Sequence, residues 1–500
     1  MRRLARYGII AATLAVVTHT ADAVAQAAQS PQPATPDAAR PSPATLRETL
    51  RAMLGRPQGL SSDEVAKRAA ATSFDVRARM SDLESAAAGV DEALIAYFPK
   101  LELTGRYTRL SNIQTTSLGT VVVAPGPGPV GDPTQLVGVP LSFPFLLNQY
   151  NLQASLSVPF SDYLLRLPQA HAAATHSERG AALSVEASKL TAAADARALY
   201  YTWARAKLQL VVSNAALAQT RQHQTDAQHA FDAGTASKAD VLRLESQVAQ
   251  AELLVERSRA LVETSEAQVH IVMHDDRKGD YEIGEQLDEE TVPFPGGEQT
   301  LAAMWEEARA RRLELQSLTE SANSQRERAK VARAGYWPRL DGFADANYAN
   351  PNQRYVPVQD KFKGTWDAGL QLTIVPNDMA NAAPNSRSFE AQAAKALADR
   401  EAFFDGIRNE VAQAREDRRV AVASLDTTRR GLTSAEESYR VRSSLFQHGR
   451  ATAVELTDAE TDLTRARLDA INARIDLRIT TARLTHALGR DVVAVNASPQ

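Results

Sequence analysis

Two histidines have the residue type and the spacing of a metal site. His270 and His274 stand four positions apart, and Asp275 and Asp276 follow directly. Two imidazoles on one face of a helix can bind Zn²⁺, with a carboxylate as a further ligand. The segment lies at the end of a predicted helix, and no third ligand is evident. The sequence therefore favours a packing role for these histidines and predicts neither a metal nor another cofactor.

A pair of acidic residues is the second candidate for chemistry. Glu455 and Asp458 share one face of a predicted helix, six and nine positions after Gly449. If symmetry brought copies of this pair to one axis, the carboxylates would attract cations, and some of their pKa values would rise. A solvated outer helix face is the alternative interpretation.

No residue pattern predicts an enzyme. The sequence contains no nucleophile elbow, phosphate-binding loop or plausible metal triad. The net charge is −4, and basic residues are spread among acidic ones along the predicted helices, so no nucleic-acid partner is expected. The chain has no cysteine, which excludes thiolate metal sites, disulfides and a lipid anchor on an N-terminal cysteine.

The N-terminus predicts export. Residues 1–25 carry Arg2, Arg3 and Arg6, then an apolar run and a small-residue end, which is the pattern of a signal peptide. Residues 26–60 are rich in Pro and Ala and are predicted to form a disordered leader. No later stretch approaches the ~20 apolar residues of a transmembrane helix, so entry into a membrane would require β-structure.

From Ser61 onward the chain repeats one unit twice. The first repeat, 61–290, contains a helix that a capping box opens at Ser61, strands at 100–110 and 150–159, a turn near 234 and a return helix. The second repeat, 291–490, contains a helix, strands at 339–349 and 365–376, a turn near 449 and a return helix, before a tail at 491–500. Such a duplication outweighs any single motif.

Each predicted strand has two unlike faces. Leu101, Leu103, Gly105 and Tyr107 alternate with charged or hydroxyl residues, and the other three strands alternate in the same way. Each strand is close to the ~9–11 residues that cross a bilayer at a tilt. The loop between the first two strands contains the run from Pro125 to Pro129, for which no specific role is predicted.

Long helices flank two glycine turns. One helix is predicted from about 167 to 231 and would be on the order of 97 Å long. The pattern Phe231-x-x-Gly234-x-Ala236-x-x-x-Asp240 recurs as Phe446-x-x-Gly449-x-Ala451-x-x-x-Glu455. After each turn, apolar residues repeat with the period of 3.5 that is typical of a coiled coil.

Four strands can neither close a barrel nor pair their own edges, so the sequence predicts an oligomer. The predicted fold is an internally duplicated α+β membrane protein that closes as a trimer. It combines a long antiparallel α-helical coiled-coil barrel with a transmembrane β-barrel of four strands per protomer. The predicted barrel lumen contains Arg106, Gln153, Asp341 and Asp367. One interfacial aromatic girdle is predicted from Tyr97, Phe98, Phe160, Tyr336 and Trp337.

The order of these elements resembles the TolC-type outer-membrane efflux proteins over about residues 60–490. The stretch Arg311-Arg312-Leu313-Glu314-Leu315 is also similar to that family's R-P-E-L stretch. The resemblance implies a homotrimer in outer-membrane lipid, with its helical portion in the periplasm. It further implies that Gly234, Ala236, Gly449 and Ala451 form a tip that meets a periplasmic adaptor (membrane fusion protein) and an inner-membrane transporter.

The resemblance also implies a periplasmic aperture ringed by Glu455, Asp458 and Asp240. In the family, the acid that matches Asp240 pairs with an Arg and a Tyr where this chain has Ala451 and Phe446. Those locking bonds cannot form here, so the closing mechanism is not predicted.

The predicted function is export, through a trimeric channel, of small molecules or other substrates from the periplasm or an inner-membrane pump. The sequence does not specify the exported substrate. A soluble periplasmic coiled-coil adaptor or scaffold is the alternative, but it would leave four bilayer-length strands without a role.

Overall fold

The computed structural model describes residues 43–112, 119–123, 136–140, 146–275, 281–288 and 299–491, with isolated positions 292, 294 and 297 between the last two ranges. The predicted signal peptide, residues 26–42 of the predicted leader, Asp276 and the run from Pro125 to Pro129 lie outside the described residues.

Long helices and one four-stranded sheet make up most of the described chain. The helices are α1 (Pro43–Ala52), α2 (Ser62–Thr72), α3 (Phe74–Ile95), α4 (Asp162–Leu165), α5 (Leu167–Asp232), α6 (Lys238–Met273), α7 (Leu301–Arg311), α8 (Leu313–Arg333), α9 (Pro376–Gln447) and α10 (Ala453–Ala487). The strands are β1 (Lys100–Arg109), β2 (Thr120–Val123), β3 (Val137–Pro140), β4 (Asn148–Val158), β5 (Arg339–Asn350) and β6 (Lys363–Thr373).

The N-terminal part of the chain corrects two predictions. Residues 43–60 are not a disordered leader, because α1 forms there and Leu54 and Leu60 are 8% and 5% exposed in the core. The single helix predicted from Ser61 is two helices, α2 and α3, which break at Ser73 with φ −55 and ψ 132. The predicted cap is present, since the Ser61 side chain accepts a hydrogen bond from the Glu64 N–H.

Two helices are much longer than the rest. Helix α5 has 66 residues and α9 has 72, which correspond to about 99 Å and about 108 Å at ~1.5 Å per residue. The predicted span of 167 to 231 matches α5 to within one residue. Each of these helices begins with a proline in its first turn, where a missing N–H costs no hydrogen bond.

The sheet joins the two repeats. Its strand order is β1-β4-β5-β6 with antiparallel neighbours, so β4 of the first repeat pairs with β5 of the second. The fourth strand, predicted at 365–376, begins two residues earlier and ends at Thr373, because Pro376 already starts α9. Strands β1 and β6 are the two edges of this sheet, and each has one paired side within the chain.

Two apolar clusters hold the helices together away from the turns. The first packs Tyr200 and Trp203 of α5 against Ile475 of α10, and the second packs Leu315 of α8 against Ile407 of α9. The strands β2 and β3 form a separate small hairpin that the sequence did not predict. Among the described residues, no helix is both long and apolar enough to cross a lipid bilayer.

Candidate functional site

The two glycine turns at the ends of the long helices have the same backbone. Gly234 has a φ of 75° and Gly449 a φ of 67°, the left-handed region in which glycine carries no Cβ penalty. In each turn the residue after the glycine donates its N–H back to the helix, at 2.8 Å from Thr235 to Ala230 and from Arg450 to Leu445. These bonds end α5 and α9 as Schellman motifs.

Each return helix opens with a complete capping box. The Ser237 hydroxyl accepts a hydrogen bond from the Asp240 N–H, and the Asp240 carboxylate accepts one from the Ser237 N–H at 3.2 Å. Thr452 and Glu455 repeat the arrangement, with the Thr452 N–H donating at 3.0 Å. An acid six positions after the turn glycine therefore satisfies a backbone donor of the helix start.

This capping role was missed by the sequence analysis, although the signal was present. Ser237-x-x-Asp240 has the same spacing as the Ser61-x-x-Glu64 box, and Thr452-x-x-Glu455 has it again. Two of the three residues predicted to line an aperture thus have a structural role of their own. Their role at an aperture stays a prediction.

The second turn carries a cross-helix ion pair. Arg442 of α9 pairs with Glu455 of α10, so the carboxylate joins the two helices of the hairpin. The Thr452 N–H and then the Arg442 guanidinium hold the pKa of Glu455 below its ordinary value of 4.5, because both stabilise the charged form. Asp458 is exposed and has neither an ion pair nor a hydrogen bond from the described residues.

The two turns carry opposite charges at one matching position. Nine residues after the first glycine stands Arg243, whereas nine residues after the second stands Asp458. The first return helix therefore opens with one acid and one base at these positions, and the second opens with two acids. Ala236 and Ala451 occupy the same place in the two turns and bring no charge.

The sheet separates polar from apolar side chains. The register places all four predicted lumen residues, Arg106, Gln153, Asp341 and Asp367, on one face. That face carries four bases and four acids: Lys100, Arg106, Arg339, Lys363, Glu102, Asp341, Asp345 and Asp367.

The opposite face of the sheet is apolar and more exposed than the polar face. Leu103 is 74% exposed there and Trp366 is 76% exposed, whereas a sheet in a water-soluble protein buries such side chains in the core.

Aromatic rings lie at both ends of the apolar face. Near the helices, Phe98 and Trp337 of the predicted girdle are 71% and 66% exposed. At the far end lies a second group of rings in contact, which was not predicted. The centroids are 5.1 Å apart for Tyr107 and Tyr150, 6.0 Å for Tyr150 and Phe362, and 5.2 Å for Tyr348 and Phe362, and only the last pair is stacked. From Phe98 to Tyr107 a strand rises about 30 Å, or about 23 Å along an axis tilted by ~40°.

The sequence of the chain matches one protein family in both repeats. The model of the family described as "Outer membrane efflux protein" matches residues 65–271 and 304–490. The chain belongs to this family. Residues 65–271 and 304–490 hold both turns and all four strands of the large sheet, whereas α1 lies outside the matched part.

Individual relatives agree with the family. The chain is 24% identical to "Outer membrane protein TolC" of Escherichia coli (strain K12) over 212 residues, which are 40% of this chain and 43% of that protein. The match thus spans less than half the length of that curated relative.

Solved structures of other channels share the fold. The Campylobacter jejuni CmeC outer membrane channel superimposes with a TM-score of 0.69 at 14% identity, over 87% of this chain and 88% of that one. The open state of the Neisseria gonorrhoeae MtrE outer membrane channel gives 0.67 at 15% identity, over 87% and 89%. The predicted fold of helical barrel plus membrane sheet is confirmed.

The stretch similar to the family's R-P-E-L has a structural role. Arg312 is 7% exposed at the junction of α7 and α8, where it pairs with Glu314 at 3.1 Å and with Glu410 of α9 at 3.3 Å. It also donates to the His486 carbonyl oxygen of α10 at 3.3 Å. One buried guanidinium thereby ties the start of the second repeat to its long helix and to the end of α10.

The histidine pair does not form the arrangement that a zinc site needs. His270 stacks on Tyr281 with ring centroids 4.5 Å apart, while His274 ends α6 in the left-handed region with φ 49. The Nδ1 atom of His274 lies 3.1 Å from the Thr72 hydroxyl. Within the described ranges, no group of three His, Asp or Glu side chains could hold a metal ion.

Proposed function

We propose that three copies of this chain assemble into a conduit that exports solutes across the outer membrane, without catalysing a reaction. The four-stranded sheet carries the proposal, since its apolar face is exposed and, among the described residues, no strand pairs with the outer side of β1 or of β6. Three sheets joined edge to edge give twelve strands, an even number within the range of outer-membrane barrels.

The spacing of the aromatic residues supports membrane insertion. The aromatic groups at the two ends of the apolar face are separated by about 23 Å along the barrel axis, close to the ~25 Å apolar band of outer-membrane barrels.

The helices would extend into the periplasm and end at the two glycine turns. We place the docking of an adaptor, and through it an inner-membrane transporter, at this tip around Gly234, Ala236, Gly449 and Ala451. Support comes from the open space around both glycines, where no atom lies within 4 Å of an added Cβ. We further place Glu455, Asp458 and Asp240 at the aperture, close to the turns.

The membrane face is tested by two neighbouring substitutions of opposite orientation. Leu103→Arg puts a charge on the apolar face of β1, which costs about 2–4 kcal/mol near the bilayer midplane. Thr104→Arg, one residue later, puts the same charge on the polar face and should be tolerated. Export complementation and mass in detergent check both, with a trimer expected for the parent and for Thr104→Arg. A folded monomer of the parent in detergent would refute the proposal.

A further inference from the structure

Helices α5 and α6 form a first helical hairpin around Gly234, and α9 and α10 form a second around Gly449. A buried carboxylate lies between these two helical hairpins, away from the tip residues. Glu460 of α10 is 3% exposed. Its Oε1 atom accepts a hydrogen bond from the Thr220 hydroxyl of α5 at 2.7 Å, and its Oε2 atom is buried without a hydrogen-bond partner. No ion pair joins Glu460 to any described residue.

Several ionisable side chains lie around Glu460, but none of the described ones forms an ion pair with it. On α5, His223 forms a hydrogen bond of 2.9 Å with the Tyr439 hydroxyl of α9. Arg467 of α10 is 8% exposed, and Glu436 of α9 pairs with Arg47 of α1. The negative charge of Asp226 on α5 raises the pKa of His223, against the larger effect of burial.

Helix α6 faces Glu460 across a groove that lies between α5, α6 and α10. The volume of this groove is ≈ 590 Å³. Its lining includes Glu460, Thr220 and, from α6, Arg257 and Gln250. Water and ions can therefore approach the carboxylate once the helices move apart.

The burial of the carboxyl favours its protonated form, because the Oε2 atom has no hydrogen-bond partner. On the other oxygen, the Thr220 hydroxyl lies between two acceptors, Oε1 of Glu460 at 2.7 Å and the Ala216 carbonyl oxygen at 2.9 Å. A carboxyl protonated on Oε1 can donate to the Thr220 oxygen while Thr220 donates to Ala216, and no charge is then buried. An ionised Glu460 buries a charge that no ion pair with a described residue compensates.

We propose that Glu460 is a proton-binding site that locks the two helical hairpins together: its protonation stabilises the packing of α10 on α5, and its ionisation loosens it. The site is separate from the capping acids at the tip, which are exposed and bound to backbone N–H groups. It needs only one chain. An effect of this packing on the opening of an aperture rests on the proposed function.

The direction of the effect follows from the pKa of Glu460. Burial raises this pKa from 4.5 to about 7, against the hydrogen bond from Thr220 and the attraction of Arg467, which both lower it. A carboxyl whose pKa is raised by packing favours the packed state fully below pH 4.5, and this contribution is lost as the pH rises through about 7. Between about pH 5 and about pH 8 the ratio of packed to separated hairpins should fall on the order of 50- to 100-fold.

His223 gives the opposite trend at acid pH. Burial lowers the pKa of this imidazole from 6.5, so the neutral form fits the packed state. Protonation of His223 at pH values below this lowered pKa loosens the packing. The hairpins should therefore pack most tightly at mildly acid pH, and the two limbs of the profile belong to different residues.

The test measures the distance between the hairpins directly. Because the chain has no cysteine, Ala233→Cys on the first turn and Val454→Cys on α10 can carry two spin labels. Labelled chains are diluted with an excess of unlabelled chains, so that distances within one chain dominate. We expect a short distance near pH 6 and a growing longer-distance population as the pH rises, with its midpoint near neutrality.

Three variants separate the possible outcomes. Glu460→Gln keeps the shape and a donor for Thr220, so it should abolish the alkaline limb and keep the acid limb. His223→Gln should do the reverse. Glu263→Gln removes an exposed carboxylate of α6 and should leave the profile unchanged. A parent distance that does not depend on pH, or an alkaline limb that persists in Glu460→Gln, overturns the proposal.

The outcome is independent of the channel. If the chain proved to be a monomer that exports nothing, the proposed function would fail while the distance profile could still follow Glu460. If the trimer and export were established and the distance profile were flat, only the proton site would fail.

Discussion

The two helical hairpins share one backbone design and differ in the side chains that join their helices. Both turns place a glycine in the left-handed region and both return helices begin with a capping box. In the first hairpin, Lys238 lies over the Phe231 ring at 5.7 Å from its centroid. In the second, Arg442 pairs with Glu455.

This difference shows which parts of a duplicated unit are constrained. Glycine and the cap residues fix the backbone, and few other residue types meet those demands at little cost. The contacts across the turn only need to join two helices, and a cation over a ring or an ion pair can do so. We therefore expect backbone changes to act equally on both turns, and charge changes to act on the second.

The largest effect is expected from the turn glycines. Gly234→Val and Gly449→Val should each destabilise the tip by about 1–3 kcal/mol, because a β-branched residue is strained in the left-handed region. Steric clashes add nothing, since no atom lies within 4 Å of an added Cβ. Hydrogen exchange at the tip and export complementation measure the loss, with the trimer still assembled.

A glycine inside a helix provides the control. Gly431 of α9 also has open space around an added Cβ but has no positive φ. Gly431→Ala should therefore stabilise the helix by about 0.5–1 kcal/mol. If Gly449→Val behaves like Gly431→Ala, the turn does not depend on the left-handed conformation.

The next effect concerns the caps. Ser237→Ala and Thr452→Ala should each cost about 1 kcal/mol, because one N–H of the first helical turn loses its acceptor. Faster hydrogen exchange should be confined to the first turns of α6 and α10 and should be similar in both. Fraying of only one helix would contradict the equivalence of the two hairpins.

A smaller effect belongs to the second hairpin alone. The pKa of Glu455 is lowered from its ordinary value of 4.5, so this carboxylate stabilises the tip at pH values above 4.5. The contribution is lost as the pH falls through the lowered pKa. Arg442→Gln should weaken the start of α10 at low salt, with little change at ~1 M salt, where charges are screened within about 3 Å. Exchange at the start of α6 serves as the reference and should not change.

The backbone design could be predicted from the sequence more completely than the contacts. The period of the strands, the glycine turns and the length of α5 all follow from local residue patterns, and the structure agrees with them. The break at Ser73 and helix α1 could not be predicted in this way. Local propensity allows one long helix at Ser73, and α1 is held by distant partners such as Glu436.

The polar contacts needed three-dimensional information. Glu460 lies four residues after Leu456 and three before Leu463, on the apolar face of α10, but its contact with Thr220 of α5 cannot be read from the sequence. Arg312 belongs to a stretch similar to a family motif, but its partners Glu410 and His486 lie far away in sequence. The dual role of Glu455 was visible only in part, since the cap has a local signature and the pair with Arg442 does not.

The charge difference between the two turns leads to the last prediction. Arg243 balances Asp240 in the first return helix, whereas Asp458 adds to Glu455 in the second. Since Arg442 compensates Glu455, Asp458 is the carboxylate of the second tip without a partner among the described residues. In a trimer with both turns near its axis, three copies of Asp458 would therefore contribute most of the uncompensated negative potential of the aperture.

Conductance in planar bilayers can separate these two carboxylates. Asp458→Asn and Glu455→Gln each remove one negative charge and should reduce the preference for cations. Glu455→Gln should do so at least as strongly, because it also leaves the positive charge of Arg442 unpaired. The double variant should weaken block by multivalent cations from the periplasmic side. Carboxylates in a constriction attract cations over about one Debye length, so each difference should shrink from ~0.1 M to ~1 M salt. Arg243→Gln is the matched change in the first hairpin and should raise the cation preference. If all variants keep the parent's selectivity at low salt, both return helices present their charges to the outer solvent and the aperture lies elsewhere.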